Sequence, residues 1–323
     1  MYPTINEFYY RYKTHLKLLM DQNRTLAFKD AISRAVQPGD VVIDFGTGTG
    51  ILSFFALQAG ARHVYAIDET SIIEYAQKLA IKNTFNEKIT FIRKSGKDLT
   101  TQDIPEMADI IVSEPISSLL IEGDLWSSIE YLKRFLKKSG LIIPKSGNLF
   151  MVPVKSSPRL FQDSEFVLGS NNTYKINFLA LPRNVMYESF LEAEAWLSKP
   201  APILNYNLQK DTLSDTFRNS VEFAFQKSGQ LKGVLFYFEA EIFDDVTLSS
   251  RKYDQNSTYS PLFAPTPQQP LISIGDKLVC RVSHEILTPI KKLWTLEFEH
   301  HSKLASPEEK PIITKFQSQF NIL

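Results

Sequence analysis

The sequence predicts an α/β protein in two parts: a mostly parallel, helix-covered sheet, then a strand-rich domain. Three observations predict it. Strand-like and helix-like patterns alternate from Val41 to about Pro144, as in a parallel sheet covered on both faces. Beyond Pro144, short β-type runs follow one another without intervening helices, which suggests a barrel or a sandwich. Near the start of the alternating region an apolar strand runs directly into closely spaced glycines that open a helix, a turn that lets backbone approach a ligand.

Taken in order, Met1 to about Val36 reads as helical, with Leu16, Leu19, Leu26 and Ile32 at helix-like spacing between charged residues, and Pro38-Gly39-Asp40 turns the chain. Val41 to Ile43 is a buried-type strand ending at Asp44, and a helix starts near Gly50. Val64 to Ile67, Ile89 to Ile92 and Asp109 to Ser113 read as further strands. Ile72, Ala76, Leu79 and Asn83 share one helix face. Leu125, Ile129, Leu132 and Leu136 line another, with Lys137-Lys138 at its C-terminus and Gly140 at its stop. The later strands fall at Leu149 to Val154, Ser220 to Phe225, Gly233 to Ile242, Lys277 to Ser283 and Lys292 to Phe298. Met186, Phe190, Ala193 and Leu197 share a face and predict a helical insertion, while Asn256 to Pro270, rich in Pro, Ser and Gln, reads as a long loop. These changes of character divide the chain into 1–36, 37–144 and 145–323.

Composition narrows the class. The 323 residues can bury two packed domains, and 36 basic residues balance 36 acidic ones, so no net field favours nucleic acid or an anionic membrane. Cys280 is the single cysteine, which excludes an internal disulfide and a Cys-rich zinc site and reads as a small buried hydrophobe. The five histidines show no metal-ligand spacing; His300-His301 reads as a solvated pair and His284 as a strand residue. The N-terminus lacks an apolar signal core, and no apolar run approaches the ~20 residues that span a bilayer, so a soluble cytoplasmic protein is expected.

The chemistry concentrates at Asp44-Phe45-Gly46-Thr47-Gly48-Thr49-Gly50. The spacing is G-x-G-x-G rather than the G-x-G-x-x-G of a dinucleotide fold, and no Gly-Lys-Ser/Thr follows to cradle a triphosphate. Asp44 stands where a carboxylate reaches a ligand's amino-acid end, directly or through water. Asp68 closes the next strand about 20 residues on, the place where an acid grips a ribose diol. Together they point to S-adenosyl-L-methionine, with NAD as the alternative.

Asp44 to Ser53 and Val64 to Asp68 resemble the cofactor site of protein arginine methyltransferases. So does His15-Leu16-Lys17-Leu18-Leu19-Met20-Asp21-Gln22-Asn23-Arg24-Thr25, the helix before the core, in which Arg24 inherits contact with the cofactor's carboxylate. Asp109 to Glu122 resembles the family's fourth strand and acidic hairpin, which makes Glu114 and Glu122 the pair that binds the substrate guanidinium. The resemblance implies a Rossmann-like class I methyltransferase domain followed by a β-barrel-like domain with a helical arm near 160–200. It further implies N-terminal helices over the cofactor, a homodimer, and a protein or peptide acceptor; with balanced charge and no basic stripe, neither nucleic acid nor a membrane is expected as a partner. Asp98, after the third strand, is positioned to accept the adenine amino group, although Lys97 aligns equally well.

Three departures concern the acceptor side and the lid. Glu114 and Glu122 are eight positions apart where the family has nine, and Ser117-Ser118 replaces a Gly-Tyr. The family's Thr-His-Trp loop falls near Thr258-Tyr259-Ser260, without His or Trp. The N-terminal aromatics Phe8, Tyr9 and Tyr12 lie closer to His15 than in the family. A small-molecule acceptor and a catalytically silent, cofactor-binding scaffold are therefore carried as alternatives to arginine N-methylation.

Overall fold

The computed structural model describes residues 5–114, 116–120, 125–159, 162, 186–212, 214–251, 257–288, 291–302 and 313–322. Two helices come first, α1 (Ile5–Met20) and α2 (Gln22–Ala35), broken at Asp21, whose carboxylate caps α2 by accepting from the Arg24 amide at 3.0 Å. Phe28, Ala31, Ile32 and Ala35 form the buried stripe of α2, whereas Leu16, Leu19 and Leu26 are exposed. The helical pattern is real, but its core face is a different one from that suggested by the leucines.

There follow β1 (Val41–Phe45), α3 (Ile51–Gln58), β2 (His63–Ile67), α4 (Ile73–Lys82), β3 (Ile89–Ile92), β4 (Ala108–Ser113), α5 (Leu125–Leu132) and β5 (Leu136–Ile143). All five strands are parallel, in the order β3-β2-β1-β4-β5. β1 lies at the centre and every one of its residues is buried, as a β-branched run between two helix layers should be.

The chain then enters antiparallel structure. Its strands are β6 (Ser146–Val154), β7 (Tyr187–Glu188), β8 (Ala201–Asn207), β9 (Phe217–Ala224), β10 (Gly229–Gln230), β11 (Gly233–Phe243), β12 (Val246–Ser249), β13 (Leu262–Pro265), β14 (Leu271–Ile272), β15 (Lys277–Thr288), β16 (Lys291–His301) and β17 (Ile313–Ile322). One sheet runs β7-β13-β11-β6-β8 with β12 on β11, a second runs β17-β16-β15-β9, and β10 pairs with β14. Trp294 of β16 is fully buried, edge-on to Phe236 of β11 and Phe217 of β9 at centroid distances of 6.0 and 5.4 Å. Aromatic packing of this kind joins the sheets into one core that is continuous with the parallel domain.

Four sequence expectations change. The helix expected over Met186 to Leu197 is extended chain with a single 3-10 turn, Ala193–Ala195. Leu197 donates to the Pro153 carbonyl and Tyr187 pairs with Phe263, so strand partners outweigh the local helical period. The rest of the expected arm, 163–185, lies outside the described residues. Leu136 and Gly140 belong to β5 rather than to a helix, and Lys137 reaches Asp109 on the neighbouring strand at 2.7 Å. Part of the stretch read as a loop forms β13 on β11. His300 is buried and bonded to Asp276 at 3.0 Å rather than solvated. Among the described residues no helix is long and apolar enough to cross a membrane.

Trp294→Ala should lower unfolding free energy by about 3–5 kcal/mol, the cost of emptying an aromatic core site. Denaturant titration followed by circular dichroism checks it.

Candidate active site

The parallel register decides which residues can meet. Phe45, the last residue of β1, pairs with Ile67, the last of β2, and with Ser113, the last of β4. The next residues in sequence, Gly46, Asp68 and Glu114, therefore emerge together at the carboxyl edge of the sheet. Strand order reverses at this point, because β2 and β4 flank β1 on opposite sides. Open α/β sheets bind ligands at such a switch point. The Ser113 hydroxyl donates to the Phe45 carbonyl at 2.7 Å, and the amides of Gly46 and Thr47 both donate to the Ile67 carbonyl at 2.9 Å, which fixes the three strand ends to one another.

Gly46, Gly48 and Gly50 all adopt positive φ, at 73°, 54° and 85°. At Gly50 an added Cβ would meet the Phe54 ring at 2.9 Å, so the tight turn into α3 requires glycine there. At Gly46 nothing lies within 4 Å of such a Cβ, so this glycine faces open space above the sheet edge. His15 of α1 packs against Gly48, bringing the N-terminal helices over the loop.

Asp44 does not face that space. It is completely buried, and its Oδ2 accepts from the Thr47 hydroxyl at 2.7 Å, the Ser53 amide at 2.9 Å and the Ser53 hydroxyl at 2.6 Å. Thr47 and Ser53 thus lock the glycine loop onto α3 through Asp44, a role the sequence did not disclose for Ser53. The other oxygen, Oδ1, is buried without a hydrogen-bond partner. Burial pushes the Asp44 carboxyl up to about 6, against the opposing pull of the Ser53 and Thr47 donors.

Asp68 sits at the mouth of the turn. Its Oδ2 accepts from the Gly48 amide at 3.0 Å and its Oδ1 from the amide and hydroxyl of Thr70 at 2.9 and 2.7 Å. Asp98 is exposed at the end of the turn Gly96–Asp98, just past β3, and Lys97 beside it is exposed as well. Glu122 lies outside the described residues.

Across from the loop, the Arg24 guanidinium donates to Glu114 Oε2 at 2.5 Å, the two side chains being 8% and 10% exposed. Burial works against the charge on Arg24, but the Glu114 carboxylate outweighs it and raises the guanidinium above its ordinary value. Glu114 Oε1 accepts from the Tyr259 hydroxyl, so both carboxylate oxygens are held. Thr258 donates its amide and its hydroxyl to Asp21 Oδ2 at 2.7 and 2.9 Å. Asp21 therefore caps α2 with one oxygen and anchors the loop before β13 with the other. Sequence periodicity gave no signal for Tyr259, and the capping role of Asp21 emerges only from the structure.

Residues 25–149 match the family model of ribosomal protein L11 methyltransferase (PrmA). Over 273 residues the chain is 30% identical to protein arginine N-methyltransferase 2 of Xenopus tropicalis, covering 79% of this chain and 61% of that protein. It is 31% identical over 240 residues to the human protein of the same name, covering 70% and 54%. Solved structures agree in fold. Arabidopsis thaliana protein arginine methyltransferase 10 superposes with a TM-score of 0.77 at 20% identity, covering 96% of this chain and 97% of that one. The Trypanosoma brucei PRMT1 enzyme-prozyme heterotetrameric complex with AdoHcy gives 0.79 at 19% identity, covering 95% and 98%.

The chain is thus similar in sequence to protein arginine N-methyltransferases over most of its own length, and it shares the fold of the solved members. It spans less than two thirds of the length of those two curated relatives.

The buried Asp44 sets a pH dependence. An acid whose folded pKa is raised stabilises the fold most below its ordinary range, and that stability is lost as pH rises through the raised value. From the ordinary 3.8 to about 6, the loss amounts to ~3 kcal/mol. Asp44→Asn, which can keep one oxygen toward Ser53 and Thr47, should lack this loss. Urea titrations of both proteins between pH 4 and pH 7 would measure the difference, and parallel curves would contradict it.

Proposed function

We propose that the chain transfers a methyl group from S-adenosyl-L-methionine to the guanidinium of an arginine in a protein or peptide. The observation that carries the reading is the common sheet edge bearing Gly46, Asp68 and Glu114, with Arg24 on Glu114.

The residues present suit the cofactor. Gly46 leaves open the space through which a nucleoside approaches backbone, and Asp68 at the end of β2 suits the ribose diol. The Arg24 guanidinium, with its Nε buried and unpartnered, suits a carboxylate. Asp98 would accept from the adenine amino group. Thr47, Gly48 and Gly50 shape the loop, and Asp44 supports it from beneath. When bound, S-adenosylmethionine supplies an electrophilic methyl on a sulfonium.

The chain's task is then to aim a nucleophilic nitrogen and to exclude water. A guanidinium has no free lone pair at neutral pH. Glu114, with Glu122 as the partner that the resemblance implies, would clamp the cation and draw positive charge away from the attacking nitrogen. The antiparallel domain covers this edge through the loop 257–260. Assembly of two copies, which the resemblance implies, belongs to the same proposal.

A small-molecule acceptor is the second reading. The observation favouring it is the phenol of Tyr259 on Glu114, which alters the acceptor side while leaving the cofactor side intact. A scaffold that binds cofactor without turnover is the third, since both Glu114 oxygens are bonded within the protein.

Incubation with methyl-labelled cofactor and arginine-containing peptides, read by mass spectrometry, tests the proposal. Methylated arginine is expected. Label on a metabolite supports the second reading, and saturable cofactor binding without product supports the third. Glu114→Gln should lower turnover by roughly 10²-fold or more while the protein still binds the demethylated cofactor. Unchanged turnover would remove Glu114 from the chemistry.

A further inference from the structure

The loop 257–260 belongs to the antiparallel domain, yet three of its residues bond to the N-terminal helices and the parallel domain. Thr258 donates twice to Asp21, the Ser260 amide reaches the Ser118 hydroxyl at 3.4 Å, and Tyr259 donates to Glu114. Behind Tyr259 the Phe238 ring of β11 stands edge-on at 5.0 Å, which fixes the phenol's direction. The residue is 5% exposed.

We infer that Tyr259 is a positioning residue that sets the orientation of the Glu114 carboxylate for its cationic acceptor. The inference rests on the proposed function.

A glutamate's terminal torsion is broad, so a carboxylate held by one oxygen still swings about its last bond. Arg24 holds Oε2, but the proposed function also assigns Arg24 to the cofactor's carboxylate. Two carboxylates then compete for one guanidinium. The Tyr259 bond to Oε1 does not depend on that competition, so it fixes the plane of Glu114 whether Arg24 stays or turns. A carboxylate offers about four lone-pair sites, of which these two donors use two, leaving room for guanidinium N–H groups.

The identity of the donor matters as well. A phenol is neutral, so unlike Arg24 it takes up none of the negative charge of Glu114. Burial, then the charge of Glu114, pushes the Tyr259 hydroxyl well above its ordinary pKa, so it remains a donor throughout the working range.

Two variants test this in the full-length protein. Tyr259→Phe removes only the hydroxyl and keeps the ring on Phe238. Tyr259→His returns an N–H donor on a smaller ring that packs less well. Positioning predicts that Phe lowers kcat on an arginine peptide by about 10²-fold. Affinity for S-adenosylhomocysteine, measured by titration calorimetry, should be unchanged. His should regain part of kcat although its Tm lies below that of the Phe variant, so activity and stability rank the two in opposite orders. The inference is overturned if Phe keeps wild-type kcat, or if kcat follows Tm across the three proteins. A wild type that binds S-adenosylhomocysteine but methylates no peptide instead removes the functional proposal, and this inference with it.

Discussion

Pairing of the last residues of β1, β2 and β4 is the constraint on which the rest depends. Parallel strands in this register must release their next residues at one edge, and those residues are a glycine, an aspartate and a glutamate. Moving one strand by one residue would send its functional side chain to the opposite face of the sheet. β1 is buried along its whole length, with Val41, Val42, Ile43 and Phe45 in apolar packing and Asp44 as its one carboxylate, bonded to Thr47 and Ser53. The site is thus specified first by packing and only then by its polar groups.

A second layer ties the two domains to this edge. Asp21 accepts from Arg24 with one oxygen and from Thr258 with the other, and Glu114 is shared between Arg24 and Tyr259. Buried charges need such partners, because taking an ion out of water is costly unless its lone pairs and protons are satisfied. Removing any one member would leave another unpaired. The junction therefore acts as a unit, and its parts come from positions 21 to 259 along the chain.

Much of the parallel domain was legible in sequence because local signals agree with the tertiary ones. Val41 to Ile43 reads as a buried strand, the glycines demand a turn, and Asp68 and Glu114 stand at strand ends. Where local and tertiary signals conflict, the sequence misleads. Leu136 continues the helical spacing of α5 but is captured by β4, and Met186 to Leu197 has a helical period yet lies along strands. In the site, Asp44 was expected to reach toward the ligand. Ser53 lies nine residues on, and nothing local announces that it turns the carboxylate inward. Tyr259 was visible only as a departure from the family's loop, since a contact spanning 145 residues leaves no periodic trace.

The claim at the centre is that this sheet edge binds an adenosine-bearing sulfonium donor with Asp68 on its ribose. Titration calorimetry with S-adenosylhomocysteine, on the wild type and on Asp68→Ala, tests it most directly. The account predicts saturable, one-to-one binding by the wild type, a marked loss in the variant, and no heat from NAD. Binding of NAD instead, or equal affinity in both proteins, would contradict it.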